Sequence, residues 1–236
     1  MYSPYDFNQS IAHRAEYVEE RLKSGAPVVA ISYEGGALLL SLKRTQRKVY
    51  EIYDQIMFCA LGNQADVEAI RLASIDFCHQ EGFSRSPDDV SLQRLVGFVL
   101  SPPLKRAFGD PMTTPNVMRG IFAEIGKSPE NDGFFVLNYD GEFSTHTGFA
   151  VAGASEGAEE KMREVLGGFS SIPDLPNAIA RAKDALCEGL KTHGEDDDAG
   201  HDSLAKALEN ATLEAAVLER NTPRESKFRL LRADEF

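Results

Sequence analysis

The chain has 236 residues, of which 42% are hydrophobic and 26% charged, and its formal net charge is −12. The apolar content suits one sizeable domain, and the acidic balance argues against binding a phosphate backbone. No run approaches the roughly 18 apolar residues of a membrane helix, and the start MYSPYDFNQS has neither the basic region nor the apolar region of a signal peptide.

Three scattered cysteines, Cys59, Cys78 and Cys187, are too few for a disulfide framework. Cys59 and Cys78 sit in apolar or amphipathic runs and are expected as buried, reduced thiols, which fits a cytoplasmic setting.

In chain order, residues 1–9 carry no apolar period and are expected as an irregular tail containing Tyr2, Tyr5, Asp6 and Phe7. Ser10 is a candidate cap for a helix whose inner face is Ile11, Ala15, Val18 and Leu22, with Gly25 as its stop. PVVAISY, EGG and ALLLSL then read as a hairpin, and its nearly unbroken apolar runs imply a sheet covered on both faces. After the basic stretch Lys43 to Lys48, VYEIY and QIMFCAL read as two more strands.

A helix over 64–81 follows, with Val67, Ile70, Ser74 and Phe77 inward and Gly82 as its end. Ser86-Pro87-Asp88-Asp89 opens another helix through a cap, a first-turn proline and acids near the positive helix end. Pro102-Pro103 is expected to break it, leaving a long loop through Gly109, Pro111 and Pro115. VMRGIFAEIG, FFVLNYD and GFAVAGA read as strands, with a turn at Asp140-Gly141. Helical patterns at 156–167 and 174–191, an acidic loop over 193–198 and a final hairpin turning at 221–223 complete the chain.

Strands in hairpins predict mainly antiparallel sheets, and helices in pairs predict a cover for each sheet. The expected fold is therefore α/β, a four-layer α-β-β-α sandwich in one domain.

Motifs for independent chemistry are missing. There is no GxSxG elbow, no GxGxxG and no Walker A sequence, so no cofactor is expected. His193 and His201 bracket Asp196 to Asp198, but the spacing matches no standard metal motif and reads as a solvated loop. His79 and His146 stand alone, and Lys105-Arg106 is too small a basic patch for nucleic acid.

Four stretches together resemble the proteasome α-type subunits, most closely the bacterial branch, within the N-terminal-nucleophile hydrolase fold. They are AEYVEERLKSG running into VVAISYEGGALLL, RKVYEIYDQIMFCALGNQADVEAIR, FFVLNYDGEFSTHTGFAVAGAS and LEAAVLERNTPRESKFRLL. The combination is specific because a helix precedes the first strand, where catalytic β-type subunits are cut to expose a threonine.

The resemblance implies a gate tail at 1–9 (Tyr2, Tyr5, Asp6, Phe7), a core at 10–231 and a short tail at 232–236. It also implies a homo-heptameric ring, a β-type peptidase partner, an AAA ATPase activator, and unfolded chains in transit. No catalytic residue is expected. Ala26 occupies the place of the nucleophile and about Leu42 that of its acidic partner, which leaves Lys48 alone. By the same resemblance, Lys48 pairs with an activator's C-terminal carboxylate, Gly25 lies near the pocket wall, and Glu16 matches a helix glutamate tied to gate opening. Asn63 departs from the apolar residue usual after the strand glycine. A divergent hydrolase with its own nucleophile and a free-standing ring scaffold remain the alternatives.

Overall fold

The structure is a computed structural model that describes residues 4–168, 171–191 and 200–236. Two five-stranded antiparallel sheets stack face to face. One has the order β10-β9-β2-β1-β8, built from β1 (Val28–Tyr33), β2 (Gly36–Lys43), β8 (Phe149–Ala152), β9 (Thr212–Glu219) and β10 (Phe228–Leu230). The other has the order β3-β4-β5-β6-β7, from β3 (Val49–Tyr53), β4 (Ile56–Gly62), β5 (Met118–Glu124), β6 (Gly133–Asn138) and β7 (Phe143–His146).

The period of two in each strand divides the apolar residues between two cores. Val28, Ala30, Leu39, Met57, Cys59, Ile121, Phe134 and Ala216 fill the space between the sheets. Their neighbours Val29, Ile31, Leu38, Leu40 and Val217 face outward beneath α5 (Glu156–Leu166) and α6 (Leu175–Lys191). Phe58, Phe122 and Leu137 face outward on the other side, beneath α2 (Gln64–Ser84) and the helical stretch beginning at α3 (Leu92–Arg94). The expected four layers are therefore present, and the continuous apolar runs have the predicted cause. Each fully buried Val, Leu, Ile, Met or Phe side chain among them contributes about 1.5–3 kcal/mol.

Six local expectations differ. Ser86 caps only a 3-10 turn, Pro87–Asp89, and the helix proper starts at Leu92, because Val90 and Ser91 are extended. A further strand, β7, lies at Phe143–His146, where exposed Ser144 and Thr145 give no apolar alternation. Helix α1 starts at Pro4, not after a cap at Ser10, and runs to Leu22. Proline at a first helical turn gives up an amide that would have no partner there. Polar 4–9 lacked an apolar period but contain no helix-breaking residue after Pro4. Helix α2 runs past Gly82 to Ser84, since one glycine costs a helix only about 1 kcal/mol.

Pro102-Pro103 does not break the third helical stretch. A π-helical segment, Leu95–Leu100, joins α3 to α4 (Ser101–Gly109), with the Ser101 amide bonded to the Val96 carbonyl. The wider turn places both prolines in the first turn of α4, where a missing amide is tolerated. Finally, α7 (Gly200–Leu208) follows the acidic segment, and its Leu204 and Ala207 pack on the outer core of the first sheet. The acidic loop at 193–198, and with it His193, lies outside the described residues.

Buried carboxylates pin the two sheets to each other at both ends. At one end Asp132, on the β5–β6 connection, takes two parallel bonds of 2.9 Å from Arg220, just past β9. Ser32 of β1 donates to the same carboxylate, and the Gly126 amide donates at 3.0 Å. At the other end Glu214 of β9 reaches across to the first residues of β3.

Candidate functional site

Lys48 stands at the entrance to β3, at the end of the intersheet core. The residue is part-buried, and the backbone around it is fixed by Glu214, whose Oε2 accepts the amides of Lys48 at 2.6 Å and Val49 at 3.2 Å. Glu214 is 5% exposed and also faces Lys43 Nζ at 3.4 Å and Arg47 Nε at 3.7 Å. Alternation explains its position, because Ala216 and Leu218 of the same strand point into the intersheet core.

Burial lowers the proton affinity of the Lys48 ammonium from its ordinary value. Nearby Cys59 and Glu214 oppose that effect, while Arg44 adds to it. Among the described residues the ammonium has no ion-pair partner.

Two potential nucleophiles lie near this end of the core. Ser41 is fully buried and donates its hydroxyl hydrogen to the Pro27 carbonyl at 2.8 Å. Cys59 is fully buried, and burial pushes its thiol up to about 12, so it is neutral at physiological pH. Ala26 is half-buried and packs against the outer core of the first sheet, as does Leu42 at 3% exposure. The strand β1 starts behind Pro27, with α1 covalently ahead of it.

Gly25 links α1 to the site. Its amide donates to the Leu22 carbonyl at 2.8 Å, and a Cβ added there would lie 2.9 Å from Leu61 Cδ1 on β4. That near contact lets the end of α1 lie directly on the strand beside β3. Glu16 is exposed on α1, and among the described residues no hydrogen bond or ion pair joins it to Lys48. The strand glycine Gly62 has φ +127°, and any Cβ would fall 2.2 Å from the Val117 carbonyl oxygen. Asn63, the residue in the variant position, caps α2 by accepting the Ala65 amide at 3.1 Å. This local role accounts for a polar residue there.

Two arginines that sequence reasoning passed over hold α1 on the body. Arg14 donates to the carbonyls of Phe108 at 2.9 Å, Ala107 at 2.9 Å and Thr113 at 2.8 Å, closing the C-terminal end of α4. Arg119 of β5 is 9% exposed and joins Glu19 of α1 at 2.9 Å, Glu159 of α5 at 3.4 Å and Asn138 of β6 at 2.8 Å. A lone arginine in the apolar run VMRGIFAEIG was the available signal for the second. Nothing in the sequence distinguishes Arg14 from a solvated helix residue.

Tyr2 lies outside the described residues, while Tyr5, Asp6 and Phe7 fall in the first turns of α1. Among the described residues there is no group of three metal-ligating side chains and no helix long and apolar enough to cross a membrane.

No protein-family model matches the chain. It is similar to the proteasome subunit alpha of Actinosynnema mirum, at 32% identity over 224 residues, covering 94% of this chain and 81% of that protein. The proteasome subunit alpha of Streptosporangium roseum is 30% identical over 225 residues, covering 94% and 80% respectively. That of Thermobifida fusca is 27% identical over 229 residues, covering 96% and 85%.

Proposed function

The chain belongs to the proteasome α-subunit family, and from that premise we propose that it is a non-catalytic, cytoplasmic α-type subunit. Seven copies form a ring that caps a β-type peptidase ring. Residues 1–9 gate the entry of unfolded chains, and an AAA ATPase docks on the outer face.

One observation carries the non-catalytic reading. By the family resemblance the nucleophile's place falls at Ala26-Pro27, which is internal to the chain behind α1, and the hydroxyl and thiol near Lys48 are both sealed in the core. An N-terminal threonine acts through its own free amine, and an internal Ala26 offers neither hydroxyl nor amine. Lys48 is then free to serve as a docking cation. Its part-buried ammonium gives charge-assisted hydrogen bonds to a C-terminal carboxylate, with Gly25 at the pocket wall and Glu16 on the helix leading to the gate.

The purified chain should show no hydrolysis of fluorogenic peptides and no covalent labelling by threonine-directed inhibitors. Mixed with its β-type partner, it should enter a particle in which only the partner is labelled. Labelling of this chain would return the reading to a hydrolase with its own nucleophile. Native mass spectrometry showing a ring that never accepts a β-type subunit would favour the free-standing scaffold.

A further inference from the structure

The β2–β3 connection concentrates positive charge on a chain of net charge −12. Lys43, Arg44, Arg47 and Lys48 fall within one short stretch, and Glu214 is the carboxylate that reaches into it. Its oxygens are already shared among two amides, the Lys43 ammonium and the Arg47 guanidinium. One negative charge thus serves two cations at loose distances of 3.4 and 3.7 Å. Among the described residues neither Arg44 nor the Lys48 ammonium has an ion-pair partner.

Arg44 is close enough to Lys48 to oppose its protonation, on top of the larger effect of burial. Like charges held close together are unfavourable, most of all for the part-buried Lys48, and an anionic ligand relieves them. The surface continues along β3. Tyr50 donates its hydroxyl hydrogen to the Arg47 carbonyl, and the Arg71 guanidinium lies over its ring at 5.1 Å.

We propose that Arg44 and Arg47 form a second anion-recognition subsite beside Lys48, so that the docking partner carries acidic side chains just ahead of its C-terminal carboxylate. This rests on the reading of Lys48 as the carboxylate-docking residue. The division of labour follows from exposure. Lys48 is part-buried and takes the chain terminus, whereas Arg44 and Arg47 are exposed and meet side chains that remain partly solvated. An extended peptide advances about 3.3 Å per residue, so carboxylates a few residues upstream reach the neighbouring loop. The guanidinium fork pairs with a carboxylate through two parallel bonds.

The test uses the full chain assembled with its β-type partner and four fluorescein-labelled decapeptides, read by fluorescence anisotropy. The peptides carry Glu-Glu or Gln-Gln at the third and fourth positions from the end, each as the free acid or the amide. The Glu free acid should bind about five- to tenfold more tightly than the Gln free acid, as expected for two exposed charge pairs. The double variant R44Q/R47Q should lose that preference and keep the penalty of amidation. Lys48→Ala should do the reverse, with native mass spectrometry confirming that both variants assemble.

Equal binding of the Glu and Gln acids, or a Glu preference untouched by R44Q/R47Q, overturns the subsite while an amidation penalty leaves the Lys48 reading standing. A Glu preference that depends on the two arginines but ignores amidation keeps the subsite and removes the terminal-carboxylate role of Lys48. Binding of none of the four peptides overturns both.

Discussion

At the scale of single residues, burial sets the chemistry. The Cys59 and Cys78 thiols are pushed up to about 12, and the Tyr33 hydroxyl to about 12, in each case first by desolvation. A group whose folded pKa exceeds its unfolded value stabilises the protein fully below the unfolded pKa and loses that contribution as pH rises through the folded one. For the thiols the loss begins near the ordinary cysteine value of about 8.5, and for Tyr33 near about 10. Lys48 acts in the opposite sense, because its folded pKa is lowered and its contribution grows as pH rises. Burial raises Tyr50, Tyr53 and Tyr139 as well, so six raised groups oppose Lys48 and the melting temperature should fall steadily between about pH 9 and pH 11. Differential scanning fluorimetry across that range checks the sign, and a flat or rising profile would refute it.

At the scale of elements, α1 is the part most dependent on long-range partners. Arg14 ties it to α4 through three carbonyls and lies 5.9 Å from the Phe108 ring. Arg14→Ala leaves those carbonyls to water and should cost about 2 kcal/mol in chemical denaturation, a typical loss for hydrogen bonds to a charged donor. Arg14→Lys should recover only part of it, since an ammonium cannot match the fork.

The sequence disclosed this helix through Val18 and Leu22 but misplaced its start, because apolar period is blind to polar turns. The same blindness hid α7 behind an acidic run, and it let two prolines look like a break where a π-helical turn absorbs them. Most strands were legible nearly residue by residue, since they alternate between two dry faces, whereas β7, with Ser144 and Thr145 exposed, carries no such signal. Within the candidate site, Lys48 and Gly25 were found by resemblance. Glu214 was not, although a glutamate inside the apolar part of TLEAAVLER is an anomaly that a buried partner would explain.

At the scale of the whole molecule, stability depends on holding one sheet against the other. Asp132 has no exposed side-chain surface and Arg220 has 10%. Removing one partner strands the other charge away from water. Asp132→Ala should therefore destabilise the fold by about 3–5 kcal/mol, far more than an exposed ion pair would. Urea unfolding of the variant measures this, and a loss under 1 kcal/mol would mean that the pin is dispensable. The sequence pointed to the layers through pattern, but it could not show that the layers are joined by charge. Asp132 and Arg220 are far apart in sequence, and each looks like an ordinary surface residue.

The position of β9 has a consequence for how the chain is made. This strand lies between β2 and β10 and pairs with the whole of β2, from Gly36↔Glu219 to Lys43↔Thr212, yet it comes late in the sequence. Strands β3 to β7 can pair with one another as soon as the ribosome releases them, but β2 must wait with one edge open until β9 emerges. During that interval the apolar faces of β1 and β2 have no complete cover, which is the condition under which nascent chains aggregate or recruit a chaperone. The step that completes the sandwich therefore waits for β9, and slowing translation over 200–230 should lengthen the period of risk.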